Sequence, residues 1–157
     1  MEKNHIISVL VENEFGVLAR IAGLFSSKGY NIDSLTVAET TDPTVSRMTI
    51  VTHGSDQIVS QILKQLDKLV NVLKVEDLQE KHLAREVLLV KVKGDFKKAV
   101  AGLEAKILQE SGVTTILEIT GEVGDLAKNI DRLKKVCEIV EIVRSGVIAI
   151  ARGEHAL

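Results

Sequence analysis

The spacing of apolar side chains changes repeatedly along the first half of the chain, and this alternation restricts the possible folds more than any other feature. Residues 6–11 are rich in β-branched and aliphatic side chains, which predicts a strand. Residues 16–28 carry apolar side chains at helical spacing and are followed by Gly29, which predicts a helix and its end. Residues 31–39 return to a spacing of two and predict a second strand.

The alternation continues through the following segment. A turn that contains Pro43, the only proline, precedes a third predicted strand at residues 45–52. Ser55 is a suitable N-cap for a second helix, and residues 70–78 predict a fourth strand. The order β-α-β-β-α-β predicts an α+β fold of ferredoxin-like layout, in which two helices cover one face of a four-stranded antiparallel sheet. The apolar stripe of the second helix is expected to contain Ile58, Ile62, Leu66 and Leu69.

The second half of the chain repeats the outline of the first half in shortened form. Val11 matches Val92 and Leu66 matches Leu133, so the interval between matched positions is shorter in the second half. Between the two helices of this half, only residues 112–120 remain for the two middle strands and their turn. We therefore expect one of these strands to be missing or stunted.

These patterns divide the chain into two predicted domains. The first occupies residues 1–79, a polar linker occupies residues 80–85, and a second, smaller α/β domain of shortened ferredoxin-like layout occupies residues 86–157. Within the second domain, residues 145–153 contain an apolar run between glycines that predicts an extra strand. We expect this strand to be paired at a sheet edge, because an exposed apolar edge strand favours aggregation.

Composition argues against several classes of function. The chain has 20 basic and 22 acidic residues, a net charge of −2 and only 3% aromatic residues, so it lacks the positive balance and the stacking side chains of a nucleic-acid-binding protein. No apolar run reaches the ~18 residues that a membrane span needs. The single cysteine, Cys137, allows no intrachain disulfide. We expect no nucleic-acid partner, no membrane partner and a cytoplasmic location.

Catalytic and metal-binding patterns are not found in the sequence. The four histidines are scattered, and none stands at ligand spacing from another histidine or from the cysteine. Nucleophile-elbow, zinc-protease and phosphate-loop motifs are missing. Cys137 is interpreted as a small buried hydrophobic residue on the last helix rather than a reactive thiol. We predict no catalytic residues, no metal site and no enzymatic activity of the chain itself.

One segment, residues 12–18, has chemistry that suits a small ligand. It joins a strand to a helix, whose first backbone N–H groups and positive dipole end favour a carboxylate. Gly16 lets a ligand approach the backbone, and Asn13 offers a donor and an acceptor to a zwitterion. Asn31 could supply a second polar contact, and Ile32 could form an apolar wall. The alternative is purely structural: Asn13 caps the helix, Gly16 permits helix–sheet packing and Asn31 adopts a turn conformation.

Longer strings of sequence indicate a family. Residues 8–20, SVLVENEFGVLAR, resemble the opening of an ACT domain. Residues 23–37, GLFSSKGYNIDSLTV, are similar to one branch of that family, the small regulatory subunits of acetolactate synthase (acetohydroxyacid synthase). The strings DPTVSRMTI at residues 42–50 and VRSGV at residues 143–147 are similar to the same branch. The resemblance is looser over residues 86–142, where members of the family usually have more residues before the last helix.

The resemblance implies a non-catalytic regulatory subunit in the biosynthesis of valine, leucine and isoleucine. In this family, two ACT domains pair in a homodimer, and the feedback inhibitor valine binds at their interface. The implied valine site combines a loop of one protomer with two residues of the other. The loop contains Asn13, Glu14, Phe15, Gly16, Val17 and Leu18, and the opposite side contains Asn31 and Ile32.

The resemblance also implies a partner, the large catalytic subunit, which the small subunit activates. That subunit carries thiamine diphosphate, Mg²⁺ and FAD, and this chain has no motif for any of them.

A chain cut after Glu80 is expected to remain a folded dimer. Two other hypotheses stay open: a stand-alone amino-acid-sensing ACT protein that regulates another enzyme or regulator, and an interaction scaffold without a ligand.

Overall fold

The chain forms two compact units in the computed structural model, which describes residues 3–79 and 81–157. One unit contains the chain up to Leu83 together with Val147–Leu157, and the other spans Ala84–Gly146. The division therefore differs from the predicted one, because the C-terminal segment belongs with the first unit rather than with residues 86–146. Met1, Glu2 and Glu80, which the predicted domain and linker include, lie outside the described residues.

The first unit contains the six elements in the predicted order. They are β1 (Lys3–Glu12), α1 (Val17–Ser27), β2 (Ser34–Glu39), β3 (Val45–Gly54), α2 (Asp56–Leu66) and β4 (Val72–Asp77). The four strands form one antiparallel sheet in the order β2-β3-β1-β4. The ferredoxin-like prediction for this half of the chain is confirmed.

Apolar side chains of the central strands and both helices form the core of the first unit. Alternate residues of β1 pack against the helices, and Ile7, Val9 and Val11 are completely or almost completely buried. The Ser55 Oγ accepts a hydrogen bond from the Ile58 N–H at 3.4 Å, which confirms the predicted N-cap of α2. The stripe of α2 is centred slightly differently from the prediction: Val59, Ile62 and Leu66 are buried, while Ile58 and Leu69 are partly buried against the same core.

The C-terminal segment contacts the face of the first sheet that the helices leave open. The Val147 N–H donates to the Ser34 Oγ at 3.0 Å, and the Thr36 Oγ1 donates to the Val147 carbonyl at 3.0 Å. The Arg47 guanidinium donates to the Ala149 carbonyl at 3.4 Å. These side chains alternate along β2 and β3 with residues that face the core, so the segment lies on the opposite face of the sheet.

The second unit has the same strand order as the first. Its elements are β5 (His82–Lys93), α3 (Lys97–Val100), β6 (Ala105–Ser111), β7 (Thr114–Gly121), α4 (Val123–Lys134) and β8 (Glu138–Arg144). The sheet follows the order β6-β7-β5-β8, and the additional strand β9 (Ile148–Ala151) pairs with β5. The prediction of a paired extra strand near the C-terminus is therefore confirmed.

The expectation of a missing middle strand is wrong. Both β6 and β7 are present, and they form a hairpin whose turn contains Gly112 at a φ of 58°. The shortening falls instead on the first helix, because α3 has only four residues where α1 has eleven. A glycine that adopts positive φ without strain permits a very short turn, so the two strands need fewer residues than in the first half.

The interval predicted as a linker also has a different structure from the one expected. Its residues from His82 onward belong to β5. The Arg152 N–H donates to the Lys81 carbonyl at 3.0 Å, and the Arg152 guanidinium donates to the His82 carbonyl at 2.7 Å. A polar segment forms a strand here because a distant part of the chain supplies its hydrogen-bonding partner, which local composition does not encode.

Two polar features stabilise the second unit. The Glu86 carboxylate is almost completely buried and accepts two hydrogen bonds from the Arg144 guanidinium, at 2.9 and 2.6 Å, which join β5 to β8. Glu86 raises the pKa of Arg144.

Cys137 follows α4 rather than lying within it, and its thiol donates to the Leu133 carbonyl at 3.2 Å. Partial burial raises the pKa of this thiol, which lowers its thiolate fraction and its reactivity.

Candidate functional site

The loop between β1 and α1 is held by the turn that follows β2. The Asn13 N–H donates to the Thr44 carbonyl at 2.7 Å, and the Asn13 Nδ2 donates to the Pro43 carbonyl at 2.8 Å. Asn13 therefore does not cap α1, whose N-cap is Gly16 without a side-chain hydrogen bond. This geometry excludes the capping role of Asn13, whose amide instead joins the loop to the turn, and no side chain caps the N-terminus of α1.

The turn that holds Asn13 is itself ordered by a carboxylate. The Asp42 Oδ1 accepts hydrogen bonds from the Thr44 Oγ1 at 2.7 Å and from the Thr44 N–H at 2.9 Å. These hydrogen bonds lower the pKa of Asp42 below its usual value. The carboxylate is therefore ionised near neutral pH and keeps the carbonyls that Asn13 contacts in place.

Gly16 gives the loop its open approach to the backbone. Its φ is 82°, in the left-handed region, and a Cβ at this position would meet no atom within 4 Å. The first turn of α1 contains no acidic side chain. The Val17 N–H donates to the Glu14 carbonyl at 3.4 Å, and the Arg20 N–H donates to the Gly16 carbonyl at 2.9 Å. The N–H groups between them, of Leu18 and Ala19, have no acceptor within the helix, so this end of α1 can bind a carboxylate without a basic side chain.

The three apolar candidate side chains of the loop differ in their burial. Val17 is buried in the core of the first unit, whereas Leu18 is 41% exposed. Phe15 is fully exposed, although phenylalanine is usually buried. Leu18 and Phe15 are therefore available to a ligand or to another protein surface, and Val17 fixes the start of the helix.

Sequence analysis missed a residue that supports the loop from outside. The Asn71 Nδ2 donates to the Glu12 carboxylate at 2.7 Å and to the Glu14 carboxylate at 3.4 Å. The Asn71 Oδ1 accepts a hydrogen bond from the Arg20 guanidinium at 2.6 Å. Asn71 lies far along the sequence, just before β4, so no local pattern could have identified it.

Asn31 and Ile32 precede β2 and lie away from this loop in the same protomer. The Asn31 carbonyl accepts a hydrogen bond from the Thr52 Oγ1 at 2.6 Å, and its Nδ2 donates to Asp33 at 2.7 Å. Ile32 is partly buried against the core. Both residues are anchored, and the side chain of Asn31 remains exposed.

The register of the sheet shows how far apart the two groups are. Strand β2 begins opposite Val51 of β3 and ends opposite Ser46, and β1 ends opposite Val45. The loop therefore follows the end of β1 beside the end of β2, whereas Asn31 lies near the start of β2. The length of β2, roughly 20 Å at ~3.3 Å per residue, separates them. One protomer alone does not bring the predicted site residues together.

The described part of the chain contains no group of three or more His, Cys, Asp or Glu side chains that could hold a metal ion. No described helix is long and apolar enough to cross a membrane. At the loop, the N-terminus of α1 follows Gly16, where a Cβ would meet no atom within 4 Å.

Comparison with known proteins identifies both halves of the chain. Residues 7–74 match a family model described as an AHAS small subunit-like ACT domain, and residues 85–153 match one described as the small subunit of acetolactate synthase. The chain is 44% identical to the acetolactate synthase isozyme 3 small subunit of Escherichia coli, over 97% of this chain and 98% of that protein. It is 43% identical to the acetolactate synthase small subunit of Haemophilus influenzae, over 95% and 96%.

A solved structure is similar over the same extent. The crystal structure of the acetolactate synthase small subunit from Thermotoga maritima superposes with a TM-score of 0.87 at 37% identity. The match covers 98% of this chain and 99% of that chain. The similarity therefore includes both compact units and the C-terminal segment.

Proposed function

Because the chain belongs to the family of acetolactate synthase small subunits, we propose that it activates a large catalytic subunit and makes that subunit sensitive to inhibition by valine. In this proposal the chain itself is not catalytic and acts in the cytoplasm, in the biosynthesis of branched-chain amino acids. The observation that carries the proposal is the uncapped N-terminus of α1 at Gly16, beside the anchored amide of Asn13.

The separation of Asn31 from the loop supports a site shared by two copies of the chain. Strand β2 is an edge strand, and β1 and β2 run parallel because both pair antiparallel with β3. If two copies pair β2 to β2 about a two-fold axis, the start of one β2 lies opposite the end of the other. Asn31 of one copy then approaches the Asn13–Leu18 loop of its partner. We propose this homodimer as the form that binds the amino acid.

The chemistry of the two sides fits a zwitterion with an aliphatic side chain. The carboxylate accepts hydrogen bonds from the first N–H groups of α1, and Gly16 leaves room for it. The ammonium is held by the amide oxygens of Asn13 and of Asn31 from the partner copy. Leu18 and Ile32 border the side chain, and Glu14 and Phe15 close the rim. Valine satisfies each of these requirements.

Regulation follows from the position of this site between two protomers. A ligand that binds there better in one arrangement of the protomers shifts the population toward that arrangement. Coupling of this kind is typically worth about 1–3 kcal/mol, or a 5- to 150-fold change in affinity. In this proposal, valine favours the arrangement in which the catalytic subunit is less active. Thiamine diphosphate, Mg²⁺ and FAD are held by the catalytic subunit.

The proposal is tested first by isothermal titration of the full chain with valine, leucine, isoleucine and, as a control, serine. We expect saturable binding of valine with about one site per protomer and no signal from serine at the valine site. An activity assay with the large subunit then tests regulation. The proposed link between valine binding and regulation would be contradicted by either of two results. The chain could activate the large subunit without binding valine, or it could bind valine without any effect on the large subunit.

A further inference from the structure

The first unit carries the two large apolar side chains that are most exposed in the described part of the chain. Phe15, in the β1–α1 loop, is fully exposed, and Val70, in the turn between α2 and β4, is 87% exposed. Leu73 of β4 is exposed as well. We call these three side chains the Phe15–Val70 face. Apolar side chains of this size are usually buried, and a group of exposed ones marks a surface that another protein covers.

Hydrogen bonds hold the two segments of this face together. The Glu12 N–H donates to the Asn71 carbonyl at 2.9 Å, and the Asn71 Nδ2 donates to the Glu12 carboxylate at 2.7 Å. The Arg20 guanidinium donates to the Asn71 Oδ1 at 2.6 Å, which joins the same turn to α1. Val70 directly precedes Asn71, and Phe15 is three residues beyond Glu12. The exposed apolar side chains therefore belong to adjoining segments of one surface.

The Phe15–Val70 face lies at the sheet edge that the proposed homodimer leaves free. In the order β2-β3-β1-β4, β2 and β4 are opposite edges, and the homodimer uses β2. The register between β4 and β1 shifts, so Leu73 has no partner on β1. A bulge at an edge strand bends the strand and interrupts its pairing pattern. A partner at this edge therefore contacts side chains rather than extending the sheet.

The charged groups between Phe15 and Val70 lack ionic partners. Glu12 and Glu14 accept hydrogen bonds from the Asn71 amide, and Arg20 donates to it. None of these three charged residues forms an ion pair within the described part of the chain. Two carboxylates and one guanidinium leave an excess of negative charge, which is complementary to a basic group on a partner. A symmetric contact between two copies would bring the carboxylates toward each other, which disfavours a second copy here.

We propose that the large catalytic subunit docks on the Phe15–Val70 face through an apolar surface flanked by a basic side chain. This inference rests on the proposed function, because it requires that the chain activates such a subunit. A few well-packed side chains near the centre of an interface carry most of its binding energy. Val70 and Leu73 take that role here, and Glu12 and Glu14 meet the basic group at the rim.

The position of this face gives valine a short route to the docked subunit. Phe15 belongs both to the face and to the loop of the proposed valine site, and Asn71 holds the same loop through Glu14. A ligand that stabilises one arrangement of the loop changes how Phe15 meets the large subunit. Valine binding and docking are then coupled within a single loop.

The test titrates a fixed amount of the large subunit with the full chain and measures the chain concentration that gives half-maximal activation. Val70→Lys removes an apolar contact and adds a cation opposite the partner's basic group, so it should raise this concentration at least about tenfold. Val70→Glu removes the same contact without the repulsion and should raise it less. Val113→Lys and Val113→Glu are the matched controls, because Val113 is also a highly exposed valine but lies in the β6–β7 turn. They should leave the concentration unchanged.

Measurements on the isolated Val70→Lys chain separate lost docking from other effects. Its melting temperature should match that of the unsubstituted chain, because the side chain at this position is almost entirely in solvent. It should bind valine equally well in a calorimetric titration, since Val70 has no part in the proposed valine site. It should also remain a homodimer in sedimentation velocity. Loss of the homodimer would show that a second copy covers this face and would overturn the inference.

The outcome of the activation titration distinguishes the inference from the proposed function. Equal half-activating concentrations for the Val70→Lys, Val113→Lys and unsubstituted chains would overturn the inference and leave the proposed function intact. Failure of the unsubstituted chain to activate the large subunit at any concentration would contradict the proposed function, and the inference with it.

Discussion

At the scale of single residues, Gly16 combines two properties that the proposed valine site requires. Its left-handed backbone turns the chain into α1, and the space around it is open. A side chain at this φ costs roughly 1–2 kcal/mol. Substitutions at Gly16 therefore act in two ways, by straining the backbone and by occupying the ligand's position, and a control must separate these effects.

Gly16→Asp should abolish inhibition by valine while activation of the large subunit is retained. The new carboxylate would occupy the place of the ligand carboxylate and repel it. Gly112→Asp is the matched control, because Gly112 also has positive φ and open space but lies in the β6–β7 turn. Inhibition by valine is measured for both chains with the large subunit. Full inhibition of the Gly16→Asp chain would show that the site is misplaced.

At the scale of elements, β2 determines which surfaces two copies can share. It is an edge strand of the first sheet, and its face toward the helices includes Val37, which is 43% exposed. The same strand leads from Asn31 toward the turn that anchors Asn13. A change in the pairing of β2 would therefore affect both the dimer and the geometry of the shared site.

Val37→Lys should weaken the homodimer and valine binding together. In a β2–β2 pair the two lysines would lie close to each other across the two-fold axis, and like charges at such positions are destabilising. Val140→Lys is the matched control, since Val140 is a similarly exposed valine on the edge strand β8. Sedimentation velocity over a range of concentrations measures the dimer. A dimer weakened equally by both substitutions, or by neither, would argue against β2 as the shared edge.

At the scale of the whole molecule, the C-terminal segment completes the first unit. The hydrogen bonds of Val147 to Ser34 and Thr36 place it on β2, and Lys74 of β4 donates to the Ala156 carbonyl at 3.2 Å. Residues at the end of the chain thus contact strands formed by its first half. Removing the second half of the chain also removes this covering from the first sheet.

A chain cut after Glu80 should still fold and dimerise, but it should melt at a lower temperature than the full chain. The six elements of the first unit remain, whereas β2 loses the partners of Ser34 and Thr36, and Arg47 loses the Ala149 carbonyl. Circular dichroism gives the melting temperature, and a chain cut after Gly153 is the control because it retains β9. An unfolded fragment would show that the six elements depend on the C-terminal segment, and an unchanged melting temperature would show that the segment contributes little.

The sequence was most informative where burial acts within one element. The periods of β1, α1 and α2 predicted their type and their core residues, because each of these elements buries its own apolar stripe. The same reasoning failed between the helices of the second half. There, a short α3 followed by two strands occupies the same number of residues as a longer helix followed by fewer strand residues. A count of residues could not decide which of them was shortened.

The sequence by itself determined the order of the elements, the ferredoxin-like layout, the family and the position of the Asn13–Leu18 loop between a strand and a helix. Only the tertiary structure decided that Asn13 binds the turn after β2, that Asn71 supports the loop, and that the C-terminal segment covers the first sheet. It also separated Asn31 from that loop along β2. The physical reason is that hydrophobic periodicity is a local property, whereas these contacts depend on sheet register and on chain segments far apart in sequence.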